Sequence, residues 1–108
     1  MTVKAELMTL VEKMNANPEF IKDEKNRVFQ VNLAESGPLQ IIIIDGQVNV
    51  LEGSSDQAEV ILNLSDENFS KLINDNLNTT MAFMKGQLKV DGKVGLALKL
   101  QEIVTKYQ

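Results

Sequence analysis

Between residues 58 and 101 the spacing of apolar side chains changes period several times, and this limits the fold more than any other feature. Ala58, Val60, Leu62 and Leu64 alternate with their neighbours, the two-residue period of a strand with one buried face. At Ser65 the period becomes helical. Ser65 is placed as an N-cap, Asp66 and Glu67 occupy the first turn, and Phe69, Leu72 and Ile73 form one stripe. Asn74-Asp75-Asn76 ends that helix. A second, short helix, capped by Asn78 or Thr79, runs through Met81-Ala82-Phe83-Met84 and is apolar nearly all round, with Gly86 placed to close it. Leu88 and Val90 then alternate with Gln87, Lys89 and Asp91 in a late strand, and Asp91-Gly92 opens a C-terminal helix.

The earlier half supplies a helix and more strands. Val3, Leu7, Leu10, Val11 and Met14 form a single apolar helical stripe, broken at Asn15-Ala16-Asn17-Pro18 because proline biases its predecessor away from helix. In residues 28–33, Phe29, Val31 and Leu33 alternate with Gln30 and Asn32, so one strand face is expected buried and the other polar. After a turn at Ser36-Gly37-Pro38 come four isoleucines, Ile41, Ile42, Ile43 and Ile44, a strand apolar on both faces. Asp45-Gly46 fits a two-residue type I′ hairpin, returning through Val48 and Val50. The four early strands are expected to form an antiparallel meander, and the late strand to cross over the helices, on a connection long enough for a parallel pairing. A run of strands followed by helices, with one late strand, is an α+β pattern. Local side chains are the simpler cover for the second isoleucine face; a second subunit is the other.

At 108 residues the chain is expected to form one domain, residues 1–108. Its residues are 44% hydrophobic and 24% charged, enough for a core, and no apolar run is long enough to span a bilayer. The N-terminal residues lack the layout of a secretory signal. With neither His nor Cys, imidazole or thiolate zinc sites and Ser-His or Cys-His nucleophiles are excluded. No metal site and no cofactor is expected. Asp66-Glu67 reads as helix-start charge and Asp23-Glu24 as a solvated run, so catalysis is not expected. The net charge of −4 argues against nucleic acid. The charge is uneven: residues 1–84 carry six basic and thirteen acidic side chains, residues 85–108 five and two. The simpler reading is a solvated helix face; the sharper one is a basic mouth for an anionic headgroup or bilayer.

The C-terminal helix has more apolar surface than one sheet face needs. Leu96, Leu100, Ile103 and Tyr107 make a stripe, while Val94 and Leu98 project elsewhere, and Gly95 is placed to permit close approach to the sheet. Another helix, a partner or a ligand must cover the excess. Methionines 81 and 84 suit an irregular or variable neighbour.

Three segments in this order, Leu64-Ser65-Asp66-Glu67, then Ala82-Phe83-Met84-Lys85-Gly86-Gln87-Leu88-Lys89-Val90, then Gly95-Leu96-Ala97-Leu98-Lys99-Leu100-Gln101, resemble the sterol carrier protein type 2 family. The resemblance covers roughly the last half of the chain, and the earlier helix and strands agree with it. It implies a five-stranded, mostly antiparallel sheet with helices packed on one face enclosing an apolar tunnel. It implies non-catalytic binding, and transfer, of a fatty acid, fatty acyl-CoA or related lipid. The tunnel wall would comprise Met81, Phe83, Met84, Leu96 and Leu100 with inward residues of the sheet, taken as Phe29, Val31, Ile42, Ile44, Val60, Leu62, Leu88 and Val90; Lys85 and Lys93 are the headgroup candidates. The expected setting is cytoplasmic, since the chain ends Lys106-Tyr107-Gln108 rather than in a peroxisomal signal. The expected partner is a lipid, with transient membrane contact, as a monomer or homodimer. The alternative is a protein-interaction module, or an accessory module of a lipid-metabolising enzyme, without a ligand of its own.

Overall fold

A computed structural model describes residues 2–108. Helix α1 (Val3–Ala16) starts at Thr2, whose side chain accepts from the Ala5 amide, and buries the Val3, Leu7, Leu10, Val11 and Met14 stripe. A 3₁₀ turn at Pro18–Phe20 follows the break at Pro18. Strands β1 (Arg27–Leu33), β2 (Gly37–Ile44), β3 (Gln47–Glu52), β4 (Val60–Leu64) and β5 (Leu88–Gly92) form one sheet in the order β3-β2-β1-β4-β5. Helices α2 (Asp66–Ile73) and α3 (Thr79–Met84) lie between β4 and β5, and α4 (Val94–Thr105) follows β5. The fold is α+β, a five-stranded mixed sheet with four helices.

The meander expectation needs correction. β4 pairs with β1 in parallel, and the late strand β5 joins β4 antiparallel. The chain between β3 and β4 therefore passes over β2 and β1 instead of turning back on β3. Gln30 makes this route hold. Its side chain, only 2% exposed, donates to the Gly53 carbonyl (3.2 Å) and to Asn32 Oδ1 (3.0 Å), and accepts from the Ser55 amide (2.9 Å). A residue whose alternation reads as solvent-facing is thus the peg that holds the crossing loop.

The helices share one face of the sheet. Phe29, Val31, Leu39, Ile41, Ile43, Val48, Val60, Leu62, Leu64 and Leu88 point into it, in register across all five strands. Ile42 and Ile44 lie on the opposite face, half-buried and 46% exposed respectively. They cannot line a space between sheet and helices, contrary to the sequence expectation. The hairpin decides this: a two-residue turn with Asp45 (φ 51°) and Gly46 (φ 76°) pairs Ile44 with Gln47, so Ile43 pairs with Val48 and Ile41 with Val50. The two valines carry Ile41 and Ile43 inward with them.

α2 is capped as expected: Ser65 accepts from the Asn68 amide at 3.0 Å. Asp66 does more than start the helix. Its carboxylate accepts from the Glu35 and Ser36 amides (3.2 and 3.1 Å) and from the Ser36 hydroxyl, tying the β1–β2 turn to α2. Desolvation pushes its pKa up, but these bonds outweigh it and hold the carboxyl below its ordinary 3.8. Gly92 (φ 93°) is required by contact as well as by conformation, since a Cβ there would stand 2.5 Å from the Glu59 carbonyl oxygen. Gly95 has no such role, because a Cβ would meet nothing within 4 Å.

Candidate functional site

The inner face of α3 is made of small residues. Thr79 and Ala82, three apart, are buried, while Met81, Phe83 and Met84 are exposed, Met84 at 78%. A six-residue helix with small side chains beneath it lies close to its neighbours and leaves its large side chains at the rim. Asn78 caps it by accepting from the Met81 amide (3.0 Å). Lys85, Gly86 and Gln87 end it: the Gln87 amide bonds Ala82 O (2.9 Å), the Gly86 amide bonds Phe83 O (3.2 Å), and Gly86 is left-handed (φ 76°). One side chain of α4 holds the front of α3. Gln101 Oε1 accepts from the Thr79 amide (3.2 Å), and its Nε2 donates to the Leu77 carbonyl (3.0 Å).

Between α3, β5 and α4 runs a cleft of about 90 Å³, lined by Thr79, Thr80, Phe83, Val90, Val94, Ala97 and Leu98. No charged side chain lines it. The apolar excess of α4 noted in the sequence, Val94 and Leu98, is here: both remain exposed and meet Phe83 across the cleft. Deeper in, beneath α1, α2 and α4, the core retains a void of about 20 Å³ bounded by side chains that include Ile41, Ile43, Ile73, Leu100 and Val104. Both spaces are far below the roughly 300–1,000 Å³ of a ligand pocket. Among the described residues neither space is wide enough to take an acyl chain.

The residues expected to form a tunnel wall divide into four groups. Phe29, Val31, Val60, Leu62, Leu88 and Leu100 are buried on the helix side. Val90 and Phe83 line the cleft, and Leu96 is half-buried against the core. Met81 and Met84 face outward, because the inward positions of α3 go to Thr79 and Ala82. Ile42 and Ile44 are on the far face. Of the headgroup candidates, Lys93 is paired with Glu59 (3.2 Å), and Lys85, at the C-cap of α3, is exposed and makes no ion pair among the described residues. The most enclosed ion pair is Lys99–Glu24 at 3.0 Å. Thr79, Ala97 and the inward isoleucines were not assigned to the site in the sequence; for Ile41 and Ile43 the hairpin register was the available signal, while Thr79 reads only as an alternative cap to Asn78, which is the residue that caps α3. Among the described residues no group of three or more His, Cys, Asp or Glu is placed to hold a metal, and no helix is long and apolar enough to cross a membrane.

The profile of the SCP-2 sterol transfer family matches residues 6–105. The chain belongs to this family. Hydroxysteroid dehydrogenase-like protein 2 of Xenopus tropicalis is 35% identical over 91 residues, covering 82% of this chain. The chain spans 10% to 22% of the length of the hydroxysteroid dehydrogenase-like proteins it matches. The solution structure of sterol carrier protein domain 2 of Helicoverpa armigera superimposes with a TM-score of 0.72 and 27% identity, covering 95% of this chain and 85% of that one. A solution structure of palmitated SCP2L2 from Aedes aegypti superimposes with a TM-score of 0.63 and 24% identity, over 96% and 95% of the two chains. The SCP-2 fold thus accounts for the five-stranded mixed sheet and its helices.

Proposed function

We propose that this SCP-2 family member binds, and passes on, a single lipid chain without catalysis, admitting it between α3, β5 and α4. The observation that carries the reading is the uncharged cleft bounded by Phe83, Val94 and Leu98, three large apolar side chains left partly exposed on facing elements. The family's description and a neighbour of the same fold solved in palmitated form support it. Because the cleft holds about 90 Å³, binding requires α3 to lift from α4. Each buried methylene contributes about 0.8 kcal/mol, so a lipid chain supplies the driving force without a charged anchor. Phe29, Val31, Val60, Leu62, Leu88 and Leu100 would border the space opened below α3, and Lys85 would sit at its lip. Lys93, already paired with Glu59, is not assigned a headgroup.

A second reading rests on the length relation to the curated relatives: the same unit forms a small part of dehydrogenase-like proteins. There it would hold an apolar substrate for a neighbouring catalytic part. Titration of delipidated protein with a fluorescent fatty acid, followed by competition with palmitate, palmitoyl-CoA and cholesterol, tests the binding common to both readings. Saturable one-site binding with displacement supports it. Folded protein without saturable binding overturns it and leaves a protein-docking module.

A further inference from the structure

Thr79 carries a polar group that the fold leaves unanswered. The residue is 2% exposed, it lines the cleft, and its Oγ1 is buried without a hydrogen-bond partner. Other helical threonines show what is missing. Thr9 Oγ1 donates to the Ala5 carbonyl (3.1 Å) and Thr105 Oγ1 to the Gln101 carbonyl (2.9 Å), each one turn back along its own helix. Thr79 is the first residue of α3, so no preceding turn offers it a carbonyl. A buried hydroxyl without a partner is destabilising, and such groups in native proteins call for an explanation. The rest of the lining is apolar (Phe83, Val90, Val94, Ala97 and Leu98) apart from Thr80, which is exposed to solvent and so lacks the same deficit.

We propose that the Thr79 hydroxyl is the specificity-determining group of the cleft, hydrogen-bonding one neutral oxygen of the bound lipid. The inference rests on the lipid-binding reading and names its ligand class. A hydroxyl both donates and accepts, so it serves an alcohol or an ester carbonyl equally. Its χ1 has two populated wells in a helix, and a rotation exchanges hydroxyl and methyl, turning the oxygen to the ligand as α3 lifts. A carboxylate at the same place would find no cation among the lining residues, so a fatty acid should bind with its carboxylate left toward solvent and more weakly than a neutral alcohol. The cleft should therefore select long-chain alcohols, sterol-type alcohols or esters over fatty acid anions.

The test uses an oxygen-free pyrenyl-alkane as the fluorescent probe and displaces it with 1-hexadecanol or with palmitate at pH 8.5. The wild type should bind 1-hexadecanol more tightly than palmitate. Thr79→Val, which keeps the shape, should lose about five-fold in affinity for 1-hexadecanol relative to its affinity for the probe, and Thr79→Ser should restore the ratio. The Thr79→Val protein should melt at the wild-type temperature or above, since it loses only an unpaired group. An equal ratio in wild type and Thr79→Val, a preference for palmitate, or a clear fall in melting temperature each overturns the proposal. Failure of the wild type to bind the probe at all overturns the lipid reading itself, and this inference with it.

Discussion

If a lipid enters as proposed, Gln101 is the latch on which access to the cleft turns. Its amide makes two bonds to the segment that begins α3, to the Thr79 amide and the Leu77 carbonyl. At about 1 kcal/mol net for each, the latch contributes about 2 kcal/mol to the closed state. Burial of Ala82 and of the Thr79 methyl adds roughly another 1–2 kcal/mol. Lifting α3 thus costs about 3–4 kcal/mol, and the open form makes up roughly 0.1–1% of molecules. Gln101→Leu keeps the volume and removes both bonds, so the open population should rise about 30-fold, since 1.4 kcal/mol corresponds to a factor of ten. A ligand that binds only the open form gains apparent affinity in the same proportion. Stopped-flow association of a fluorescent fatty acid should accelerate by a similar factor. Gln101→Glu retains the acceptor for Thr79 but cannot donate to Leu77, and should fall between. If Gln101→Leu melts cooperatively yet matches the wild type within two-fold in association rate and affinity, α3 is not the moving wall and the reasoning fails.

Other perturbations probe the scaffold. Gly95 lies in the first turn of α4 with open space where a Cβ would stand, so Gly95→Ala should raise stability by roughly 0.5–1 kcal/mol, read as a shifted urea midpoint with unchanged slope. Gln30→Leu strips the crossing loop of its peg and leaves the Gly53 carbonyl and Ser55 amide without their partner; a loss of about 2–3 kcal/mol is expected in chemical denaturation, and a loss under 0.5 kcal/mol would mean the loop is held otherwise. For Asp66 the sign follows from a pKa below its ordinary 3.8: its contribution is complete above that value and disappears as pH falls through the lower folded value. Asp66→Asn should accordingly be less stable at neutral pH and less sensitive to acid below pH 4 than the wild type, and parallel acid-unfolding curves would contradict this.

Much of the architecture was legible because it is locally determined. The α1 stripe, the Ser65 cap, the Asp45-Gly46 turn and the Gly86 helix end each rest on a few adjacent residues, and each is found where the pattern puts it. Strand pairing was not legible in the same way. Alternation specifies which side chains share a face and says nothing about which strand lies alongside, so the parallel β1–β4 pair was hidden in a polar loop and one glutamine. The isoleucine run has no periodicity of its own, and its facing had to be carried across the hairpin from Val48 and Val50.

The same distinction explains why the cleft was the least legible part. α3 is too short for two turns of periodicity, and a helix apolar nearly all round gives no inward direction; assigning its large side chains to the interior follows bulk, whereas the fold admits only Thr79 and Ala82 there. That choice has a functional consequence. Were Met81 and Met84 turned inward, α3 would be fastened by buried area, at several kcal/mol per pair of side chains. With small residues beneath it, the attachment depends on two hydrogen bonds and a few methyl groups, a cost that about five methylenes of an entering chain offset. At the far end α1, α2 and α4 close over β2 and β3, leaving only about 20 Å³ of void. The sheet is therefore sealed where its packing must hold and lightly latched where, on the proposed function, a lipid would pass.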